Sequence, residues 1–253
     1  RADLERLVGM AAQRVVAASG EEVFELVRMG VDRSRISLVP FAVDVDRFRP
    51  DGRPERSGRR RRLLAIGDMV PHSGFHTAIS ALAQVPDAEL VIAGRCRHTD
   101  PREDPEVRRL VHHARRLGVA HRVSLIGPVD RARMPAVLRS ADVLVCPQWY
   151  EPLGATALQA MACGVPVVAS AVGALSDLVV DDVTGLLVPP RDHRALGNEL
   201  RELLTDRTRC QMYSIAGADR ARARYSWDRI AAETVMAYDK ARARISAASV
   251  EGR

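Results

Sequence analysis

The chain has 253 residues, 47% hydrophobic and 28% charged, a balance that excludes a disordered polymer, a collagen or a small disulfide-stapled module. Thirty-eight basic residues against 32 acidic ones leave a net charge of +6, and every basic residue except Lys240 is an arginine. The arginines are interspersed with Asp and Glu, so no one-sided basic footprint points to nucleic acid. The densest cluster, Arg59 to Arg62, directly precedes an apolar run and reads as the start of a strand. Cys96, Cys146, Cys163 and Cys210 are too widely spaced for a zinc site or a disulfide framework, which points to a reducing, cytoplasmic setting. No apolar stretch approaches a membrane span and no signal peptide opens the chain. The sequence begins at Arg1 inside an amphipathic pattern and reads as part of something longer.

Leu4, Leu7, Val8 and Ala11 keep a helical period, and a buried-type run follows from Arg14 to Ala18. Ser19, with Glu22 three residues on, signals a capping box, and Gly30 signals the end of that helix. Ile36–Pro40 reads as a strand, Val43–Pro50 as an extended crossing segment, and Asp51–Arg60 as an exposed turn. Strands are then predicted at Leu63–Ile66, Leu90–Ala93, Val123–Ile126, Val143–Val145 and Val167–Ala169. Helices alternate with them at Phe75–Ala83, Glu106–Leu117, Pro135–Arg139 and Ala155–Cys163. Helices over Asp192–Leu204, Arg207–Arg224 and Trp227–Arg244 close the chain. Short Val/Ile/Leu/Ala runs alternating with helices describe an α/β fold, a doubly wound parallel sheet covered on both faces. The first forty-odd residues cannot bury their own apolar faces and belong against a neighbouring domain.

Ligands of such a sheet bind outside the carboxyl ends of its strands. That rule selects the loops at Gly67–Gly74, Gly94–His98, Gly127–Asp130, Cys146–Gly154 and Ser170–Leu175. The loop after the first of these strands lacks the dinucleotide-binding glycine fingerprint, and no Walker loop exists. The most informative segment is Pro147-Gln-Trp-Tyr-Glu-Pro-Leu-Gly154, where a strand runs into a loop and Gly154 opens a helix. Amides at Gly154 and Ala155 would form an anion site. Glu151 reads either as an acceptor for sugar hydroxyls or as a solvated loop carboxylate.

Several long segments in order carry a resemblance. They are Val39-Pro-Phe-Ala-Val-Asp-Val-Asp-Arg-Phe-Arg-Pro50, Tyr150-Glu-Pro-Leu-Gly154, Ala160-Met-Ala-Cys-Gly-Val-Pro-Val-Val-Ala169, Asp182-Val-Thr-Gly-Leu-Leu-Val-Pro189 and Tyr225-Ser-Trp227. Together they resemble the carboxyl-terminal, donor-binding half of the family 4 retaining glycosyltransferases, whose GT-B fold sets two Rossmann-like domains face to face. The resemblance implies a remnant of the N-terminal, acceptor-side domain at residues 1–42. It places a nucleotide-sugar-binding domain at 43–225 and a helix returning to the first domain at 226–253. It implies hexosyltransferase-like transfer of a sugar from a nucleotide-diphosphate donor to a small-molecule or glycan acceptor, with retention and without a metal. The donor is a co-substrate and no resident cofactor is implied. The missing domain, or another chain, would cover residues 1–42.

The resemblance also shows departures. Where the family carries an Arg and a Lys facing the donor diphosphate, between Gly67 and Gly74, this chain has Asp68 and Ser73. Where a second acidic residue holds the ribose, it has Gln159; Ala174 and Asp177 replace a glycine and a glutamate. Losing two charge-assisted contacts of about 1.5–3 kcal/mol each would weaken the donor site severely. His72, His76, Arg95 and Arg97 are the candidate compensating groups, Arg95 foremost. Trp149 and Tyr150 are the adjacent aromatics that could stack on a sugar or base, or pack between domains. His112, His113 and Arg220–Arg224 read as solvated helix faces. Two readings stand: an active transferase with an arginine-rich, actinobacterial-type composition, or a catalytically inactive homologue acting as a binding or regulatory partner.

Overall fold

The structure, a computed structural model, describes residues 2–251 apart from 56, 57, 59, 97, 99 and 101; Arg59 and Arg97 thus lie outside the described residues. The chain opens with α1 (Ala2–Ala11), β1 (Val15–Ala17), α2 (Gly20–Arg28) and β2 (Ile36–Leu38). Ser19 Oγ accepts the Glu22 N–H at 3.2 Å, the expected cap, while Glu22 reaches one residue further back than a capping box requires and accepts the Ala18 N–H at 2.6 Å. Gly30, at φ +95°, ends α2 with the paired bonds Gly30 N–H to Val27 O and Val31 N–H to Leu26 O. β1 and β2 pair in parallel, Val15 opposite Ile36, around a small core of Ala17, Val31 and Ile36. Leu4, Leu7, Val8, Phe24 and Leu38 are left exposed by this unit.

The larger body comprises β3 (Arg61–Ile66), α3 (Phe75–Leu82), β4 (Ala88–Ala93), α4 (Pro105–Arg116), β5 (Val123–Leu125), α5 (Met134–Arg139), β6 (Val143–Cys146), α6 (Ala155–Ala162), β7 (Val167–Ser170), α7 (Gly173–Leu178) and β8 (Gly185–Val188). Three helices follow, α8 (His193–Thr205), α9 (Arg207–Tyr225) and α10 (Trp227–Glu251). Among the described residues the strands form one six-stranded sheet, ordered β5-β4-β3-β6-β7-β8 and parallel throughout. This is the Rossmann-like doubly wound sheet expected from the sequence, with the order reversing between β3 and β6. Successive residues of β3 feed opposite cores: Leu63 packs with α3, α4 and α8, and Leu64 with α5, α6 and α7. Burying both faces is why the strands read as continuous apolar runs.

The structure adds two elements to those predicted. β8 and the short α7 lie in segments read as motif and loop. Two residues of the predicted solvated faces are corrected, while His112, Arg222 and Arg224 are exposed as expected. Arg220 is half-buried and donates to the carbonyls of Leu178 and Asp177 at 2.9 and 2.8 Å. His113 is half-buried too, its Nε2 lying 2.7 Å from Ser80 Oγ. Arg61 and Arg62 of the basic cluster pair with Asp142 and Glu89, each at 2.8 Å. No described helix is long and apolar enough to cross a membrane.

Candidate donor site at the strand ends

The site is built where β3 and β6 end, on either side of the reversal in strand order. The loop after β3 leaves along its neighbour: Gly67 N–H donates to Ala93 O at 3.0 Å and Met69 N–H to Arg95 O at 2.9 Å. Gly94 N–H in turn donates to Gly127 O at 2.8 Å, so the loops after β3, β4 and β5 are joined backbone to backbone. The approach is so close that a Cβ on Gly94 would lie 1.8 Å from Gly67 O. A tight turn over Pro71–Ser73 then delivers Gly74, at φ +70°, to the start of α3.

The loop after β6 lies directly against this turn. Trp149 N–H donates to His72 O at 3.0 Å, and a Cβ on Gly74 would meet Pro147 O at 1.9 Å. The Trp149 ring is clamped, with the Arg191 guanidinium 3.9 Å over its face and His76 edge-on at 5.3 Å. Of the two adjacent aromatics only Tyr150 offers a free ring, being 67% exposed. Arg191 was not singled out in the sequence; it stands far along the chain, in the turn after β8, at φ +64°.

Glu151 is held at the mouth of the second loop. Its Oε1 accepts the Gly154 N–H at 2.9 Å and the Leu153 N–H at 3.3 Å, and its carbonyl accepts the Ala174 N–H at 2.9 Å. This corrects the expectation for Gly154, whose own amide is taken up by Glu151. Ala155 follows as the first residue of α6, and no side chain caps that helix end. Gly154, at φ +65°, again allows close packing, since a Cβ there would be 2.2 Å from Leu178 Cδ1.

The residues proposed to face the diphosphate divide. Ser73 is 5% exposed and its hydroxyl donates to Asp68 O at 2.7 Å, which closes the loop on itself and turns the side chain away from solvent. Asp68 and Arg95 are exposed on the loop surface, and His72 is exposed beside them. His76 is half-buried; desolvation, with repulsion from Arg109 and His113, holds its imidazole below the ordinary histidine range. That direction works against His76 as a substitute cation. Gln159 lines a cavity of about 150 Å³ with Asp44, Arg47, Arg131, Met134 and Trp227, beside the end of the loop after β5. A larger cavity of about 580 Å³ lies between β2, α7 and α10, lined among others by Leu38, Asp177 and Met236. Among the described residues no three His, Cys, Asp or Glu side chains gather as a metal site.

The sheet order is that of a Rossmann-like domain, and the fold matches the carboxyl-terminal domain of GT-B glycosyltransferases. The family model described as glycosyl transferases group 1 matches residues 49–220, and the chain belongs to that family. It is 36% identical over 251 residues to a D-inositol 3-phosphate glycosyltransferase of Xylanimonas cellulosilytica, covering 94% of this chain and 59% of that one. This chain therefore spans about three fifths of that relative. Its fold matches sucrose-phosphate synthase from Thermosynechococcus elongatus with a TM-score of 0.86 at 30% identity, over 96% of this chain and 61% of the other. It also matches Anabaena Alr3699/HepE, solved in complex with UDP-glucose, with a TM-score of 0.80 at 20% identity over 94% and 66% of the two chains. Actinobacteria supply many of the curated relatives, in keeping with the arginine-rich composition.

Proposed function

We propose that this chain is the donor-binding half of a retaining, metal-independent glycosyltransferase that moves a sugar from a nucleotide-diphosphate donor to a small-molecule or glycan acceptor. One observation carries the reading: the loops after β3 and β6 meet at the switch point, with Glu151 fixed at their mouth by two backbone amides. In this reading Glu151 faces the transferred sugar and Tyr150 stacks beside it. The first amides of α6, at Ala155 and beyond, and the exposed Arg95 face the diphosphate, where positive groups stabilise the charge that grows as the bond to the sugar breaks. Gln159 takes the ribose. The acceptor belongs to the part of its relatives that this chain does not span.

A second reading is favoured by a specific observation: Ser73 is turned inward and Asp68 stands exposed in the diphosphate loop, which carries no Arg or Lys, while the exposed Arg95 lies on the neighbouring loop after β4. On that reading the loop is degenerate and the chain is an inactive homologue with a binding or regulatory role. Calorimetric titration with UDP, GDP, ADP and dTDP, without added metal, separates the two. Micromolar binding of one nucleotide, lost in Arg95→Ala, supports the transferase. No binding at millimolar concentration, restored by Asp68→Arg, supports the inactive homologue.

A further inference from the structure

Two carboxylates cross between the small N-terminal unit and α7, in opposite directions. Asp177 Oδ2 accepts the N–H of Gly20, the first residue of α2, at 2.6 Å. Glu21 Oε2 accepts the N–H of Gly173, the first residue of α7, at 2.5 Å. Each helix therefore has its first amide capped by an acid from the other, and each acid sits where the helix dipole favours negative charge. A side chain at Gly173, φ +49°, would spoil the fit, since its Cβ would lie 2.2 Å from Glu151 O. Arg220 anchors the far end of the same helix through the carbonyls of Asp177 and Leu178.

The bond from Glu21 ends one residue from the sugar loop. Gly173 carries the Glu21 contact, its neighbour Ala174 donates to Glu151 O at 2.9 Å, and Glu151 Oε1 receives the Gly154 amide. We infer that Glu21 is a positioning residue for Glu151: docking of the N-terminal unit through the Glu21–Gly173 and Asp177–Gly20 bonds fixes the loop that presents the Glu151 carboxylate. The inference takes its functional meaning from the glycosyltransferase reading, whereas the mechanical link stands independently of it. An unlatched N-terminal unit leaves the backbone of Gly173 and Ala174 free to shift, and Glu151 shifts with it.

Amide hydrogen exchange on the 253-residue chain tests the link without any ligand, because exchange reports local opening residue by residue. Glu21→Ala should speed exchange about tenfold in residues 171–178 and 149–154 alike, with α3 and α4 unchanged, since one charge-assisted bond is removed. Glu21→Gln keeps an acceptor oxygen and should return both segments close to the wild-type rate. Titration with UDP and UDP-glucose supplies the second arm. Glu21→Ala should weaken UDP-glucose about tenfold and leave UDP unchanged, because misplacing Glu151 affects the sugar and not the nucleotide. Wild-type exchange in residues 149–154 of Glu21→Ala overturns the inference, as does loosening that spreads through the sheet without rescue by Glu21→Gln. Equal weakening of UDP and UDP-glucose overturns it too. If the wild-type chain binds another of the four nucleotides instead, the titration uses that nucleotide and its sugar; if it binds none, the glycosyltransferase reading fails and the exchange result alone decides the inference.

Discussion

Replacing Gly74 with alanine probes the close approach that joins the two switch-point loops. The added Cβ would lie 1.9 Å from Pro147 O and 2.6 Å from its carbonyl carbon, where real Cβ contacts do not fall below 3.0 Å. One loop must retreat by more than an ångström, and the Trp149 N–H to His72 O bond spans the same junction. Gly118 provides a matched control, with φ +71° against +70° at Gly74 and no atom within 4 Å of its would-be Cβ. Comparing the two alanine variants cancels the left-handed backbone cost, which is roughly 1–2 kcal/mol for each. What remains at Gly74 is overpacking of roughly 1–3 kcal/mol, together with one backbone hydrogen bond of about 1 kcal/mol. Gly74→Ala should thus be about 2–4 kcal/mol less stable than Gly118→Ala, a gap of roughly 5–15 °C in Tm for a chain of this size. Thermal melts followed by circular dichroism measure it directly. If the two variants melt within about 2 °C of each other, the loops are not held by that contact and the argument for a rigid switch point fails.

The half-buried histidines set a pH dependence. His76 and His113 are both held below the ordinary value of 6.5 by desolvation first, so folding disfavours their protonated forms. Stability from this source is complete above pH 6.5 and declines as pH falls through their lower folded values. Urea midpoints should accordingly drop between pH 7.5 and pH 5, and His76→Gln with His113→Gln should flatten that slope; a slope unchanged by the pair would assign it elsewhere. The cysteines give a simpler readout. Burial pushes the Cys163 thiol up to about 11 and Cys146 higher still, whereas Cys96 and Cys210 are partly exposed. Ellman's reagent should therefore reach Cys96 and Cys210 in the native chain, and all four thiols only after denaturation.

The sheet was legible because both of its faces are buried. Leu63-Leu-Ala-Ile66 and Val143-Leu-Val-Cys146 carry no polar alternation, and the helices between them announce themselves by period and caps. β8 escaped because four residues opening with a glycine give too little pattern. Within the site, glycines and loop positions could be read, but side-chain directions could not. Ser73 sits where a ligand contact was expected, yet its hydroxyl serves Asp68 O, a choice made by the turn over Pro71–Ser73. Glu151 was legible as a site residue, whereas its capture of the Gly154 amide depends on the φ of +65° that the loop adopts. Arg191 on Trp149 and Glu21 on Gly173 join residues 42 and 152 positions apart, and no local pattern encodes such meetings.

The glycine-to-carbonyl junctions bind the strand-end loops to one another in sequence: Gly94 against Gly67, Gly74 against Pro147, Gly173 against Glu151. Each junction leaves no room for even one extra methyl group, so none of these loops can change its backbone path unless its neighbour changes with it. On the glycosyltransferase reading, donor preference would consequently be inherited as a block. Grafting a single loop from a relative would import a backbone cut to fit a different neighbour, while exchanging the segments 67–74, 94–98, 147–154 and 171–175 together would carry the mutual fit along with the chemistry.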